Sequence, residues 1–169
     1  MDTANTYTET LEKTIQDLFE CPEDLVRIAF TDQLTGLGNR GGYTRSLEEL
    51  WEQGVPVTMA FIDIDNLKHC NDAFGHDEGN RYIMQVSLYL KLYIKVDEAV
   101  FRLGGDEFAI LSTVATEGDL AERLEHCRSV LLKNNDAEMP HTFSYGVSHA
   151  DPKLGETSNR MALDADHRM

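Results

Sequence analysis

The pattern of apolar and polar residues divides the chain into predicted helices and strands. Val55 to Ile64 is mostly apolar and contains Val, Ile and Phe, which is typical of a buried central strand. The other periodic segments are predicted as strands 99–103, 107–114 and 141–149, and as helices 22–30, 40–53, 66–73, 78–95, 120–132 and from 158 onward, with a weakly helical segment at 8–20. This order predicts an α+β fold, in which helices surround a central, mainly antiparallel sheet.

Two glycines followed by two acids interrupt an apolar, strand-like run near the middle of the chain. Gly104 and Gly105 predict a tight turn whose backbone a ligand can approach closely. Asp106 and Glu107 follow at once, and two carboxylates at such a turn are suited to hold a divalent metal over phosphate oxygens. The alternative is a β-hairpin with a glycine turn and two solvated acids.

A second acidic site lies about 40 residues upstream, where the strand 55–64 ends. A carboxylate at Asp63 costs several kcal/mol if it is buried without a partner, so a metal or hydrogen-bond donors are expected beside it. We expect Asp65 to turn away from Asp63 and to cap the helix that Asn66 begins. If the two strands pair, Asp63 and Asp106 lie close enough to share metals.

The chain resembles a GGDEF domain, the catalytic module of bacterial diguanylate cyclases. The resemblance covers about residues 25 to 169, so residues 1–24 are expected to be a linker or helix stub. It implies a sheet similar to the palm of nucleotidyl cyclases and polymerases. The matching segments follow the family's order and are Asp32–Arg40, Asp63–Gly79 and Arg102–Phe108. Two further segments match more weakly, Ser144–Val147 and Ala165–Asp166.

The resemblance implies that two GTP molecules on two facing copies of the chain condense to cyclic di-GMP and two pyrophosphates. It makes Asp63, the backbone carbonyl of Ile64 and Asp106 the ligands of Mg²⁺ or Mn²⁺. Asp106 and Glu107 are the implied catalytic residues. Glu107 either completes the metal site or helps to deprotonate the attacking 3′-hydroxyl.

The same resemblance implies a set of residues that contact the nucleotide. Gly104 and Gly105 allow the backbone to approach it. Lys68, with the backbone amides near Asn66 and Leu67, is expected to contact phosphates at a helix N-terminus.

Base recognition departs from the family pattern. Asn71 matches the guanine-reading asparagine, but Asn80 stands where the family has a guanine-reading aspartate. A carboxylate accepts both N1–H and N2–H of guanine, whereas an amide offers one acceptor and two donors. Either Asn80 still serves guanine, with a water or with help from Asp77 or Glu78, or the purine preference is altered.

A second departure concerns product inhibition. Many family members bind cyclic di-GMP through an RxxD motif five residues before the first glycine. Here Lys95 replaces the arginine and Glu98 replaces the aspartate, so we expect this inhibitory site to be absent. The alternative role for these residues is a solvated helix end.

The C-terminus also departs from the family. Ala165 to Met169 resembles the start of the family's last helix, but the phosphate-clamping lysine and arginine that follow it in the family are not in this sequence. We therefore expect an incomplete C-terminal helix and weaker binding of triphosphate. Arg40 is expected to start a helix and to tie down the scaffold of the site rather than to touch phosphate.

Composition sets limits on partners and location. The formal net charge of −15 over 169 residues argues against a surface for nucleic acid or anionic membrane. Cys21, Cys70 and Cys127 show no paired metal spacing and are expected to be reduced, cytoplasmic thiols. No apolar run is long enough for a membrane span, and the polar N-terminus is unlike a signal peptide.

Two further hypotheses remain beside a Mg²⁺-dependent, homodimeric cyclase. One is a cyclase with altered purine specificity. The other is a catalytically silent GGDEF domain that binds nucleotide or regulates a partner, and an upstream sensor or partner domain would suit either. The acids Asp63, Asp106 and Glu107 favour catalysis, whereas Asn80 favours the silent module.

Overall fold

A computed structural model describes residues 22–134 and 138–166 of the chain. Several predictions concern residues outside these ranges: the helical segment 8–20, most of the linker, Cys21 and the last three residues. The helices and strands, in chain order, are α1 (Pro22–Phe30), β1 (Gly38–Asn39), α2 (Arg40–Glu52), β2 (Val57–Ile64), α3 (Leu67–Phe74), α4 (His76–Tyr93), β3 (Glu98–Gly104), β4 (Glu107–Ser112), α5 (Glu117–Lys133), β5 (Phe143–Ala150) and α6 (Ser158–Asp166).

The strands form one five-stranded sheet in the order β1-β3-β4-β2-β5. β1 pairs with β3 in parallel, and the other three neighbouring pairs are antiparallel. This mixed but mainly antiparallel sheet confirms the predicted fold class. β2 pairs on both sides, with β4 and β5, which explains its nearly continuous apolar sequence.

Two apolar cores lie on opposite faces of the sheet, because successive residues of a strand point to opposite sides. On β2, Ile62 and Ile64 pack with buried residues of α3, α4 and α5. Met59 packs on the other face, with Leu47 of α2 and Met161 of α6. The carboxylates that follow β2 therefore stand on a rigid, doubly covered strand.

The ends of several elements differ from the prediction for local reasons. Helix α4 begins at His76, because Gly75 takes a left-handed φ of 88° and separates it from α3. Helix α5 begins at Glu117, because Thr116 and Asp119 form a capping box. Strand β1 is too short to leave a periodic pattern. No helix in the described ranges is long and apolar enough to cross a membrane.

Candidate active site

The register of β2 and β4 brings the two acidic segments together. Asp63 lies directly opposite Glu107 in the antiparallel pair. One residue further, the amide of Ile64 donates to the carbonyl of Asp106 over 3.1 Å. The predicted pairing of the Asp63 strand with the glycine hairpin is therefore confirmed, and Asp63, Ile64 and Asp106 occupy one small region at the end of the sheet.

Asp63 occupies an electrostatically unfavourable position. Burial raises the pKa of its carboxyl to about 6, and the charges of Asp106, Glu107 and Asp65 add to that effect. A carboxylate whose pKa rises in this way is stabilised when a cation approaches it. The described part of the chain thus contains a crowded group of acids at the position where the sequence predicts a metal.

The same group fits a divalent cation only if the backbone takes part. Within residues 22–134 and 138–166, no three His, Cys, Asp or Glu side chains converge closely enough to hold a metal by themselves. Asp63 and Asp106 would supply carboxylate oxygens and Ile64 a carbonyl oxygen, and oxygen ligands of these two kinds are those Mg²⁺ takes. Such a cation would keep several positions for water or phosphate.

The glycine turn is held in shape by a neighbouring arginine. Gly104 has a φ of 142° and Gly105 a φ of 55°, conformations that favour glycine. The guanidinium of Arg102 donates to the carbonyl of Gly105 over 2.8 and 3.2 Å. It also contacts the carboxylate of Asp32 at 3.3 Å. Although burial opposes it, hydrogen bonds from Thr35 and the charge of Arg102 lower the pKa of Asp32.

Arg40 braces the other side of the turn. Asn39 caps α2 by accepting from the amide of Gly42, so Arg40 is the first residue of the helix, as predicted. Its Nε donates to the carbonyl of Leu103 over 2.8 Å, and its Nη2 lies 3.2 Å from Oε2 of Glu107. The expected scaffold role of Arg40 is confirmed by these contacts. Both partners of the Arg40–Glu107 ion pair are exposed, so the pair itself adds little stability.

The loop after β2 leads into α3 through a strained residue. Asn66 has a left-handed φ of 58° and makes no side-chain capping hydrogen bond. Asp65 does not turn away from Asp63 as predicted, because its charge still raises the pKa of Asp63 and its carboxylate accepts over 2.7 Å from Oγ of Ser144, the residue of β5 that pairs with Asp63. The prediction that Asp65 caps α3 is therefore wrong, because β5 provides a closer donor.

The start of α3, where phosphate contacts are predicted, has no side-chain cap. Leu67 is buried and fixes the first turn, while Lys68 is exposed beside it. The first amides of a helix have no partner inside the helix, and with the helix dipole they attract anions. Asn66, Leu67 and Lys68 are thus placed where the end of β2 meets the first turn of α3, but their contact with a nucleotide stays a prediction.

The two candidate base-reading residues belong to the hairpin that α3 and α4 form around Gly75. Asn71 is half-buried, and its amide oxygen lies so close above Gly79 that a Cβ at that position would overlap it. Asn80 follows Gly79 and is exposed. Asn71 is therefore held by packing, whereas Asn80 is not.

The candidate inhibitory position is built into the protein interior. The side chain of Glu98 is fully buried in β3, and Nη1 of Arg123 donates to it over 2.7 Å. The amide of Lys95 and Oγ of Ser112 also donate to this carboxylate, over 2.7 and 3.0 Å. The alternative of a solvated helix end is therefore wrong for Glu98, although Lys95 is exposed.

Several residues that shape the site were not predicted individually. Arg102 and Asp32 lie inside the motifs that match the family, and this position was the only feature of the sequence that could have identified them. The hydroxyl of Tyr82 lies 2.9 Å from the carbonyl of Asp65 and 2.7 Å from that of Thr142, which fixes the loop after β2. Nothing in the local sequence distinguishes Tyr82 from an ordinary core aromatic.

The sequence of the chain matches a known family and several of its members. Residues 29–169 match the family model described as diguanylate cyclase, GGDEF domain. This chain belongs to the GGDEF domain family. Diguanylate cyclase DgcP of Escherichia coli (strain K12) is 30% identical over 159 residues, covering 89% of this chain and 46% of DgcP. Response regulator PleD of Caulobacter vibrioides (strain NA1000 / CB15N) is 34% identical over 170 residues, covering 95% of this chain and 36% of PleD.

Solved structures share the fold of this GGDEF domain. The coiled coil and GGDEF domain of DgcB from Caulobacter crescentus, in complex with c-di-GMP, superposes with a TM-score of 0.79 at 26% identity, covering 98% of this chain and 92% of that one. The family resemblance and the α+β fold are thus confirmed. The chain spans less than half the length of DgcP or PleD.

Proposed function

We propose that this GGDEF domain, expected over residues 25–169, is a diguanylate cyclase that condenses two GTP molecules to cyclic di-GMP and two pyrophosphates. The observation that carries the proposal is the pairing of Asp63 opposite Glu107, with Asp106 hydrogen-bonded to the next residue of β2. Family membership supports this reaction, since DgcP and other relatives are named diguanylate cyclases.

The proposed reaction is a phosphoryl transfer in which the 3′-oxygen of one nucleotide bonds to the α-phosphorus of the other. The bond from that phosphorus to the pyrophosphate oxygen breaks, and the proton leaves the hydroxyl. Bound Mg²⁺ or Mn²⁺ would lower the pKa of the hydroxyl and neutralise phosphate charge. Asp63, Asp106 and the Ile64 carbonyl would hold that cation, and Glu107 would complete the site or receive the proton.

The surrounding residues are suited to hold the triphosphate and the base. The uncapped amides at Asn66 and Leu67, together with exposed Lys68, offer donors and positive charge for phosphate oxygens. Asn71 presents an amide that packing on Gly79 keeps in one place. In a chain of net charge −15, these local donors must offset a strong general repulsion of nucleotides.

Two copies of the chain are needed for this reaction. The described residues carry one crowded group of acids, whereas the product joins two nucleotides through two new bonds. A homodimer with facing sites supplies the second group. Access to GTP implies a cytoplasmic location, and an upstream sensor or partner domain would control how the copies meet.

Replacement of the acids tests the proposal directly. Asp63→Ala or Asp106→Ala is expected to lower cyclic di-GMP formation more than a hundredfold, because each removes a charge that positions the cation. Asp97→Ala is a matched control, since it removes an exposed acid at the opposite end of β3. Near-normal turnover in either Asp63→Ala or Asp106→Ala would refute the assignment of the metal ligands.

A second candidate is a silent GGDEF domain that binds nucleotide and regulates a partner, or a cyclase that accepts adenine. The exposed amide of Asn80, in place of a carboxylate, is the observation that favours it. GTP binding without turnover, in a protein shown to dimerise, would support the silent module. A product that contains adenine would support altered specificity.

A further inference from the structure

A cavity of about 420 Å³ lies behind the α3–α4 hairpin, where the hairpin meets the segment before β5. We call it the rear cavity. Asn71 and Asn80 are not among its lining residues, so it is separate from the candidate base-reading position. Its walls combine an aromatic ring, a thiol, two carboxylates, a guanidinium and an imidazole, from Phe74, Cys70, Glu78, Glu138, Arg81 and His141.

His141 lines this cavity and carries a ring nitrogen that has no hydrogen-bond partner among the described residues. The residue is only 3% exposed, and its ring stacks on Tyr82 with the centroids 3.8 Å apart. Nδ1 is paired with the side-chain oxygen of Gln85. Nε2 is buried and has no hydrogen-bond partner among the described residues. A buried polar atom without a partner costs free energy, so a donor that reaches Nε2 would gain that energy back.

The contact with Gln85 determines what Nε2 can do. Nδ1–H donates a hydrogen bond to the amide oxygen of Gln85, which can only accept, so the neutral ring has its lone pair at Nε2. Burial lowers the pKa of His141, against the opposite effect of Glu78, and thereby favours the neutral ring. His141 is therefore an acceptor toward any ligand in the rear cavity.

The other polar groups of the cavity are mainly acceptors as well. Glu78 and Glu138 both offer carboxylate oxygens, and among the described residues that line the cavity Arg81 alone has a cationic side chain. That guanidinium already contacts Oε2 of Glu78 at 3.0 Å. Phe74 is 44% exposed and offers a ring face for stacking. A planar ligand with several N–H donors fits this set better than a phosphate does, since the carboxylates repel anions.

We propose that the rear cavity binds a small planar ligand with adjacent N–H donors, the edge that guanine and guanidinium compounds share, and that Nε2 of His141 accepts a hydrogen bond from one of these N–H groups. The volume is at the lower end of the range for small-molecule sites. The guanine source rests on the proposed function, because it presumes a protein that handles guanine nucleotides. The guanidinium source does not.

The test observes His141 directly in the full chain. Long-range ¹H–¹⁵N spectra of protein labelled in the histidine rings report on Nε2, with guanosine, agmatine and adenosine as probes. We expect saturable movement of the His141 Nε2 signal with guanosine or with agmatine, and none with adenosine, which lacks adjacent N–H donors on a ring edge. A guanosine response identifies a guanine source, and an agmatine response alone identifies a guanidinium source.

Variants separate this binding from the candidate active site. In calorimetric titrations with the same probes, which do not need the His141 signal, His141→Gln is expected to weaken binding at least tenfold, while His69→Gln, a change at an exposed histidine on α3, leaves it unchanged. Asn71→Ala should impair turnover of GTP but not the signal from His141, so failure of one proposal is distinguishable from failure of the other. If His141→Gln does not fold, the spectra of the unaltered chain decide. An Nε2 signal that no probe moves would overturn the proposal.

Discussion

At the scale of single residues, Asp63 is the residue on which the proposed chemistry of the site depends most. It stands at the end of a strand that pairs on both sides, so it cannot move away from Glu107 without breaking the register. Burial and the neighbouring acids raise its pKa to about 6, which means that its ionised form is held at a cost. Cation-binding carboxylates are often ionised at such a cost in free energy, because the bound cation offsets it.

This cost leads to a prediction on stability. The folded-state pKa lies above the ordinary 3.8, so the folded chain binds more protons between pH 4 and pH 6, and stability falls as pH rises through that window. Asp63→Asn removes the effect and should stabilise the metal-free protein at pH 8 by about 1 kcal/mol, a value discounted because Asp63 is partly exposed.

Urea unfolding at pH 4 and pH 8, without divalent metal, checks this prediction. The gain from Asp63→Asn should be present at pH 8 and nearly absent at pH 4. Addition of Mg²⁺ should stabilise the unaltered chain more than the variant. A variant that is less stable at pH 8 would show that Asp63 forms a favourable contact instead.

Asn80 determines the expected choice of base. A carboxylate at this exposed position would accept both N–H donors of guanine, so Asn80→Asp should strengthen GTP binding about tenfold relative to ATP. Competition binding of the two nucleotides measures the ratio. Gln53→Glu, which also replaces an exposed amide by an acid but lies at the end of α2, is the control for net charge. An unchanged ratio would show that Asn80 does not touch the base.

The sequence indicated these residues unevenly, for physical reasons. The acids and glycines were predictable, because their residue types and spacing follow from metal and turn chemistry. The partner of Asp65 was not, because Ser144 lies 79 residues away and its contact depends on the pairing of β5 with β2. The unpartnered Nε2 of His141 could not be predicted either, because it depends on the positions of Tyr82 and Gln85 in the folded chain.

At the scale of elements, a buried ion pair joins β3, β4, α4 and α5. Arg123 of α5 contacts Glu98 and also donates to the carbonyl of Tyr93 over 2.8 Å, while Ser112 contacts the same carboxylate from β4. Although burial opposes it, these hydrogen bonds lower the pKa of Glu98. The contribution of the pair to stability is thus present at neutral pH and is lost as pH falls through this lowered pKa.

Removal of the arginine should be costly. Arg123→Met leaves Glu98 buried without its charged partner, which is expected to destabilise the chain by about 3–5 kcal/mol. Arg128→Met is the matched control on the same helix, because its ion pair with Glu125 is exposed and should contribute less than about 1 kcal/mol. Equal effects of the two variants in chemical unfolding would contradict the buried role of Glu98.

The same pair makes a prediction about feedback. Arg123, Lys95 and Ser112 already donate hydrogen bonds to the carboxylate of Glu98. This carboxylate therefore has little capacity to accept further hydrogen bonds from a guanine. Initial rates of the cyclase should therefore be unaffected by micromolar cyclic di-GMP at this position. Strong inhibition that Lys95→Ala abolishes would show that the site still binds product.

Most elements were predictable because their patterns are strong. β2 was clear from its apolar run and the glycine hairpin from its turn residues, and both agree with the structure to within a few residues. β1 was missed, since two residues leave no period and their pairing with β3 is non-local. The start of α5 differs from the prediction because the capping box of Thr116 and Asp119, rather than the first apolar residue, determines where the helix begins.

At the scale of the whole molecule, the proposed reaction requires two copies of an acidic protein to meet. A net charge of −15 on each copy opposes association at low salt, and screening weakens that repulsion. Turnover per chain should therefore depend on protein concentration until the dimer forms. The described residues of each copy carry one group of acids at the end of β2, so in the proposed reaction the second group would come from the other copy.

The most direct test identifies the product. The full chain, shown to dimerise at the concentration used, is incubated with Mg²⁺ and GTP, ATP or both, and products are identified by mass spectrometry. The account predicts cyclic di-GMP from GTP alone, with loss of product in Asp63→Ala. A protein that dimerises and binds GTP but forms no cyclic dinucleotide would contradict the proposed cyclase and favour the silent regulatory module.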